Sequence, residues 1–181
     1  MQPRTASQNL LSAKSAMNYT TAKLIFGSSN KFFDNLRTLG ITALAVSEMY
    51  KQTEQYLKAG GVPVPTPGHA DWNRFGLQYI EAMSQAALTM GAGNCEENAA
   101  VAFMYLYNSG IRPLDYMMIP DRHAFVVLGA EVRATRTNFT EWTSGLAVVC
   151  DPWYRRSELA GNLAPHFPRD ITRMFSAFRV Q

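Results

Sequence analysis

The sequence has little cysteine, little charge and no long apolar run, and each shortage excludes a class of protein. Only 2 of the 181 residues are cysteine, which excludes a disulfide scaffold and a four-cysteine zinc site. Charged residues make up 17% and hydrophobic residues 47% of the chain, whereas a disordered protein needs high charge and few apolar residues. No segment approaches the roughly 18 consecutive apolar residues of a transmembrane helix. We therefore expect a folded chain with a core of its own and no membrane span.

Acidic residues are absent from the first 33 positions, so the formal charge of +3 is unevenly distributed. Four basic residues fall in this segment: Arg4, Lys14, Lys23 and Lys31. The rest of the chain has 13 basic and 14 acidic residues and is nearly neutral. Because the basic excess lies in the N-terminal segment alone, we expect no nucleic-acid partner.

The N-terminal segment is rich in Ser, Thr, Asn, Gln and Ala and lacks the apolar region of a secretory signal peptide. Acid-poor, serine-rich leaders resemble transit peptides and the leaders of bacterial type III effectors. A mobile tail or a linker from a larger toxin is the alternative. We expect residues 1–29 to form a flexible leader and residues 30–181 to form a single domain.

Hydrophobic periodicity predicts helices first and strands afterwards. Apolar residues at helical spacing, with glycines at the ends, predict helices within residues 30–90 and another from Cys95 to Gly110. Three short apolar segments predict strands that pair as an antiparallel meander: 113–120, 123–129 and 146–152. We expect residues 155–181 to add closing helices. This order of elements predicts an α+β fold.

Three residues that carry chemistry lie at the ends of these predicted elements. Cys95 follows Gly-Ala-Gly-Asn and begins a helix, where the helix dipole favours a thiolate. His123 begins the second strand and Asp151 ends the third, so on neighbouring strands the imidazole can bond the carboxylate and face the thiol. Taken singly, each residue type is more common in a core, on a surface or in a turn. Their combination predicts a nucleophile, a base and an orienting acid.

The segments around these residues resemble the transglutaminase-like branch of the papain-fold cysteine enzymes. The segment GNCEENAAVAFMYLYNSGI is similar to that family's active-site helix, RHAFVVLG to its histidine strand and VVCDPW to its aspartate strand. The resemblance covers residues 91–154 and implies an active-site helix packed on a small antiparallel sheet. One departure is the longer gap between His123 and Asp151, where the inserted ATRTNFTEWTSG is expected to loop out.

The resemblance implies a thiol hydrolase that acts on amides with Cys95, His123 and Asp151 and needs no cofactor. Its relatives include bacterial effectors and toxins such as the deamidase domain of Pasteurella multocida toxin. It therefore implies deamidation of a glutamine or asparagine side chain in a host protein, by a protein secreted or translocated into the target-cell cytosol. The alternatives are a cysteine protease, a transglutaminase, a cell-wall amidase, a cytoplasmic location and, as a different class, a catalytically silent protein-binding module.

Supporting residues follow from the same resemblance. The papain-like subgroup has a glutamine before its cysteine that helps to bind the oxyanion, but Thr89 and Met90 stand in that neighbourhood here. We expect the backbone N–H of Cys95 to take that role together with a second donor that the sequence does not identify, for which Asn94 is a candidate. Two further residues are candidate supports, a glutamate in the first helical turn and a tryptophan at the pocket wall: Glu97 and Trp153.

Motifs for other chemistry are missing. The sequence contains no GxGxxG, P-loop or RNP-like motif, which leaves cofactor, phosphate and RNA binding without support. Its three histidines are not spaced as metal ligands with the cysteines, so we expect no zinc site.

Overall fold

Helices form the first part of the chain and strands the second. The computed structural model describes residues 4–31, 34, 36, 38, 40–66, 69–133, 139–143, 145–167 and 173–181. The helices within these residues are α1 (Ala6–Lys23), α2 (Ile41–Gly60), α3 (Asp71–Met90), α4 (Cys95–Asn108) and the short α5 (Phe139–Trp142). The strands are β1 (Leu114–Ile119), β2 (His123–Leu128), β3 (Val148–Asp151), β4 (Arg156–Leu159) and β5 (Phe175–Val180).

The five strands form one antiparallel sheet in the order β4-β3-β2-β1-β5. The predicted meander of β1, β2 and β3 is therefore confirmed, and so is the α+β class. None of the helices described is long and apolar enough to cross a membrane.

Both faces of the central strands are covered, which explains why these strands are almost entirely apolar. Alternate residues of β2, such as Val126, pack in one core with α1, α3 and α4. The intervening residues, such as Phe125 and Val127, pack in a second core with Trp142 and Phe167. The sheet thus holds α4 on one face, and the antiparallel pairing brings the start of β2 and the end of β3 to the same end of the sheet.

Most of the segment expected to be a flexible leader forms helix α1 (Ala6–Lys23), so that expectation is wrong for these residues. Thr5 caps the helix through a capping box with Gln8. Its buried face is made of small residues at helical spacing, so the helix lies close to α4 and β3 without an apolar stripe: Asn9, Ala13, Ala16 and Thr20. A face of this kind gives almost no hydrophobic periodicity, which is why the sequence reads as a polar tail.

The closing helices expected at residues 155–181 are also not found in the part of that segment that the structure describes. It contains strand β4, a short 3₁₀ turn at Ala160–Asn162 and strand β5, while residues 168–172 lie outside the description. Both strands lie at sheet edges and are only partly buried, so they lack the continuous apolar runs of β1 and β2.

The insert between β2 and β3 is described only in part, because residues 134–138 and 144 lie outside the described set. Its short helix α5 does not simply loop out into solvent. Trp142 is 1% exposed and packs in the second core. The insert therefore contributes to covering the sheet face beside β2 and β3.

Candidate active site

The turn before α4 places Cys95 at the start of the helix by close backbone packing. Gly91 has a left-handed φ of 64° and ends α3. A Cβ on Gly93 would lie 2.6 Å from the Cβ of Glu97, so only glycine fits there. The N–H of Gly93 donates to the carbonyl of Gly27, which ties the turn to the segment after α1.

The Cys95 sulfur lies beside the start of β2. The nearby backbone groups of Ala124 and Glu96 lower the pKa of the thiol. Burial is the larger effect, and with the carboxylate of Glu96 it raises the pKa of Cys95 to about 11. The sequence suggested that the helix dipole would keep Cys95 as a thiolate, and that expectation is wrong. Cys95 rests as a neutral thiol.

His123 and Asp151 form a buried pair. The Nε2 atom of His123 lies 2.6 Å from Oδ2 of Asp151, and the two residues are 5% and 1% exposed. The other carboxylate oxygen accepts the backbone N–H of Tyr154 at 3.1 Å, which fixes the orientation of Asp151. Asp121 lies in the turn before β2 with a φ of 59° and forms no described hydrogen bond with the His123 ring. The imidazole thus bonds Asp151, leaving Nδ1 without a hydrogen-bond partner among the described residues.

Aromatic rings surround His123. The ring centroids of Tyr154, Trp153, Phe167 and Phe125 lie 4.9, 5.5, 5.6 and 6.0 Å from its own. These contacts limit rotation of the imidazole and exclude water from the His–Asp hydrogen bond, which strengthens it. The sequence could not single out Tyr154 or Phe167, because only tertiary packing brings them to the histidine.

Trp153 packs against the ring of His123 and does not line the cavity beside Cys95. Its Nε1–H donates to Oγ of Ser28 at 2.9 Å. The ammonium of Lys31 lies 4.4 Å from the centre of its ring and also bonds its carbonyl oxygen. The tryptophan therefore links the segment after α1 to the histidine side of the site.

Asn94 and Glu97 organise the first turn of α4. The carboxylate of Glu97 is almost fully buried and accepts the backbone N–H of Asn94 at 2.8 Å. Burial, with the nearby Glu96 carboxylate second, raises the pKa of Glu97 to about 7. The side-chain oxygen of Asn94 accepts hydrogen bonds from Ser28 and from the backbone of Asn30, and its Nδ2 donates to the hydroxyl of Tyr50 at 3.1 Å. Asn94 thus joins the turn before α4 to the segment after α1 and to helix α2.

A cavity of about 280 Å³ opens at this point. Cys95 and His123 both line it, together with neighbours from α2, from the turn before α4 and from the turn before β2. Three acidic residues and one arginine contribute charge to its wall: Glu96, Glu97, Asp121 and Arg122. Tyr50 also lines it, and nothing in the pattern of α2 marks this residue.

The remaining cysteine and histidines lie elsewhere. Cys150 is a free, fully buried thiol on β3 whose pKa burial raises well above its usual value. His166 pairs with Glu158, while His69 is exposed. Among the described residues no group of three or more His, Cys, Asp or Glu side chains is arranged to hold a metal ion.

The structure thus brings the three predicted residues to one place in the fold. The thiol and the imidazole share a cavity, and the imidazole is anchored by the carboxylate. Comparison of the chain with models of protein families, with curated proteins and with solved structures finds no match.

Proposed function

We propose that this protein is a cysteine-dependent amide hydrolase with Cys95 as nucleophile, His123 as base and Asp151 as orienting acid. One observation carries the proposal. The buried 2.6 Å hydrogen bond between His123 and Asp151 ends at the cavity that Cys95 lines, and the backbone of Ala124, the residue next to His123, lies close enough to the Cys95 thiol to lower its pKa. The papain-like or transglutaminase-like fold implied by residues 91–154 is part of the same proposal.

The hydrogen bond to Asp151 determines which nitrogen of His123 acts. With the Nε2–H donated to the carboxylate, Nδ1 carries the lone pair that accepts a proton. Because Cys95 rests as a thiol, its proton moves to Nδ1 as the sulfur attacks the carbonyl carbon of a bound carboxamide. The imidazolium that forms is stabilised by Asp151 and by the surrounding aromatic rings.

The second half of the reaction releases the products. The π electrons displaced onto oxygen return, the C–N bond breaks, and the imidazolium protonates the leaving ammonia or amine. Water then attacks the thioester with His123 as base, which frees the acid and restores the thiol. The scheme needs no cofactor, because every proton passes between Cys95, His123, substrate and water.

Deamidation of a protein glutamine or asparagine is the form of this chemistry that we favour. The support is the resemblance of the Cys95, His123 and Asp151 segments to effectors and toxins, which also suggests a host protein as substrate and delivery into a target-cell cytosol. Peptide cleavage, amine transfer and cell-wall amide cleavage use the same acyl-enzyme step and differ in the leaving group and the acceptor.

Mass spectrometry of a mixture of unfolded proteins tests the proposal. The wild-type protein and the variants Cys95→Ala and Cys150→Ala are incubated with the mixture at equal concentration. Deamidation adds about one dalton at a glutamine or asparagine of an intact chain, whereas proteolysis gives two fragments, and both proceed through the same thioester. We expect the product to require Cys95 and not Cys150. Equal product formation by Cys95→Ala would contradict the proposal.

A catalytically silent binding module is the second candidate. The observation that favours it is the pKa of about 11 at Cys95, which leaves very little thiolate at neutral pH. An unassisted cysteine at this position would be acylated by a reactive ester only through its small thiolate fraction, at a rate that rises about tenfold per pH unit up to pH 9, whereas a cysteine assisted by His123 would be acylated faster near neutral pH and with a weaker pH dependence.

A further inference from the structure

When Cys95 attacks a carbonyl carbon, the carbonyl oxygen becomes an oxyanion in an unfavourable electrostatic setting. Glu96 and Glu97 both line the cavity beside the sulfur, and both raise the pKa of Cys95. The N–H of Cys95, at the first position of α4, has no acceptor among the described residues and is one available donor. One N–H beside two carboxyl groups is weak support for a full negative charge, so a second donor is needed.

Asn94, the candidate donor from the sequence, already uses an amide hydrogen in a hydrogen bond to another side chain. Its Nδ2 donates to the hydroxyl oxygen of Tyr50 at 3.1 Å. Its side-chain oxygen is held by Ser28 at 2.8 Å and by the backbone N–H of Asn30 at 3.4 Å. The amide is therefore held in one orientation, and in that orientation it positions the hydroxyl of Tyr50.

The hydroxyl hydrogen of Tyr50 is available to a ligand. A phenol oxygen that accepts one hydrogen bond still has a hydrogen to donate, and no acceptor for it is present among the described residues. Tyr50 lines the same cavity as Cys95 and His123. Tyr50 is half-exposed, and the partial burial of its hydroxyl, with Glu97 second, raises its pKa further above an ordinary value that already keeps the phenol protonated in the neutral range.

We propose that the hydroxyl of Tyr50 donates a hydrogen bond to the oxyanion formed when Cys95 attacks a carbonyl carbon, with the backbone N–H of Cys95 as the other donor. This role rests on the proposed hydrolase function. In the step concerned, the C–S bond forms, the carbonyl π electrons move to oxygen, and the thiol proton moves to His123. The hydrogen bond from Tyr50 strengthens as the charge develops, while its proton stays on the phenol.

Two reagents that react with the same sulfur separate this role from any other role of Tyr50. Acylation of Cys95 by p-nitrophenyl acetate passes through an oxyanion. Alkylation by iodoacetamide displaces iodide at a saturated carbon and forms none. Both rates are measured for the wild-type protein, for Tyr50→Phe and for Tyr56→Phe, a matched variant on the same helix whose hydroxyl lies outside the cavity. Cys95→Ala supplies the background rate.

We expect Tyr50→Phe to lower the acylation rate about 100-fold, the effect of removing one oxyanion donor, and to leave the alkylation rate within about twofold. Tyr56→Phe should change neither. Unchanged acylation in Tyr50→Phe would overturn the proposal. An equal loss of both reactions would also overturn it, because Tyr50 would then act on the thiol rather than on the oxyanion. If wild-type Cys95 is alkylated but never acylated, the hydrolase function itself fails and this role fails with it.

Discussion

At the scale of single residues, Glu96 has the clearest effect on the reactivity of the site. Its carboxylate is, after burial, the largest cause of the raised pKa of Cys95. Glu96→Gln removes that charge and lowers the pKa, so more of the sulfur is thiolate at any pH below 11. We expect alkylation by iodoacetamide at pH 8 to rise roughly three- to tenfold, because the thiolate is then a larger fraction of the sulfur at that pH. The exposed Glu54→Gln on α2 is the control, and an unchanged rate in Glu96→Gln would refute this electrostatic account.

Asp151 and Asp121 provide a second comparison at the residue scale. Asp151 bonds the His123 ring, whereas Asp121 lines the cavity and forms no described bond with that ring. Asp151→Asn keeps the shape of the side chain but allows the wrong tautomer of His123. We therefore expect Cys95 acylation to fall about 10³- to 10⁴-fold in that variant. Asp121→Asn should reduce acylation less than tenfold by the same assay, and the opposite ranking would assign the orienting role to Asp121.

Which site residues the sequence could predict depends on how each one reaches the site. Cys95, His123 and Asp151 lie at the ends of strongly patterned elements, so residue type and position within the element were enough to select them. Tyr50 and Phe167 have no such marker, because distant segments bring them to the site through tertiary packing. The raised pKa of Cys95 could not be predicted from the sequence either, since it depends on how deeply the folded chain buries the thiol.

At the scale of elements, helix α1 is part of the core rather than an appended tail. Ala13 and Ala16 are fully buried in the main core. Ala16→Leu adds volume where the helix lies close to its neighbours, and we expect it to lower the free energy of unfolding by about 1–3 kcal/mol. Ser15→Leu, on the exposed face of the same helix, should change it by less than about 0.5 kcal/mol. Urea denaturation measures both, and equal effects would mean that α1 is not docked.

Strand β5 is held to β1 by a buried ion pair. Arg179 donates to Asp115 at 2.6 Å, and the two side chains are 7% and 0% exposed. Burial raises the pKa of Asp115 to about 6 despite Arg179, which lowers it. Arg179→Met removes the ion-pair partner of the buried carboxylate and leaves it the hydrogen bond of Ser176 and the charge of Arg133, so we expect a loss of about 3 kcal/mol at pH 8.

The loss caused by Arg179→Met should depend on pH in a defined direction. Without the arginine, the folded-state pKa of Asp115 rises above 6, while the unfolded value stays near 3.8. A raised carboxyl pKa favours the folded state at low pH, and this advantage disappears as pH rises through the folded pKa. The destabilisation measured in urea should therefore be smaller at pH 4.5 than at pH 8. A loss independent of pH would contradict the assignment to Asp115, and Lys58→Met, which breaks an exposed ion pair, is the control.

The elements also show where periodicity is informative. Helix α4 and strands β1 to β3 have long buried apolar faces, so their positions were predicted closely. Helix α1 buries small and polar residues, and β4 and β5 are short edge strands, so neither has the periodicity that identifies an element. Packing against the rest of the chain, rather than local pattern, determines their structure.

At the scale of the whole molecule, the basic N-terminal segment proves to be a folded part of the protein rather than an appended tail. Residues before Asp34 carry all of the net positive charge, yet part of this segment is the folded helix α1. The stretch that follows the helix bonds to Asn94 and Trp153 beside the site. The positively charged segment is therefore part of the structure that supports the candidate site, so removing it should impair the thiol chemistry as well as any role in delivery.

The central claim is that His123 activates Cys95, and the rate of Cys95 acylation by p-nitrophenyl acetate in His123→Ala tests it most directly. The acetylated residue is identified by mass spectrometry, and Cys95→Ala supplies the background. Because a thiol with a pKa of about 11 needs a base near neutral pH, we predict that acylation at pH 7.5 falls at least about 10³-fold in His123→Ala, no less than in Asp151→Asn. Acylation of Cys95 at the wild-type rate in His123→Ala would contradict the account.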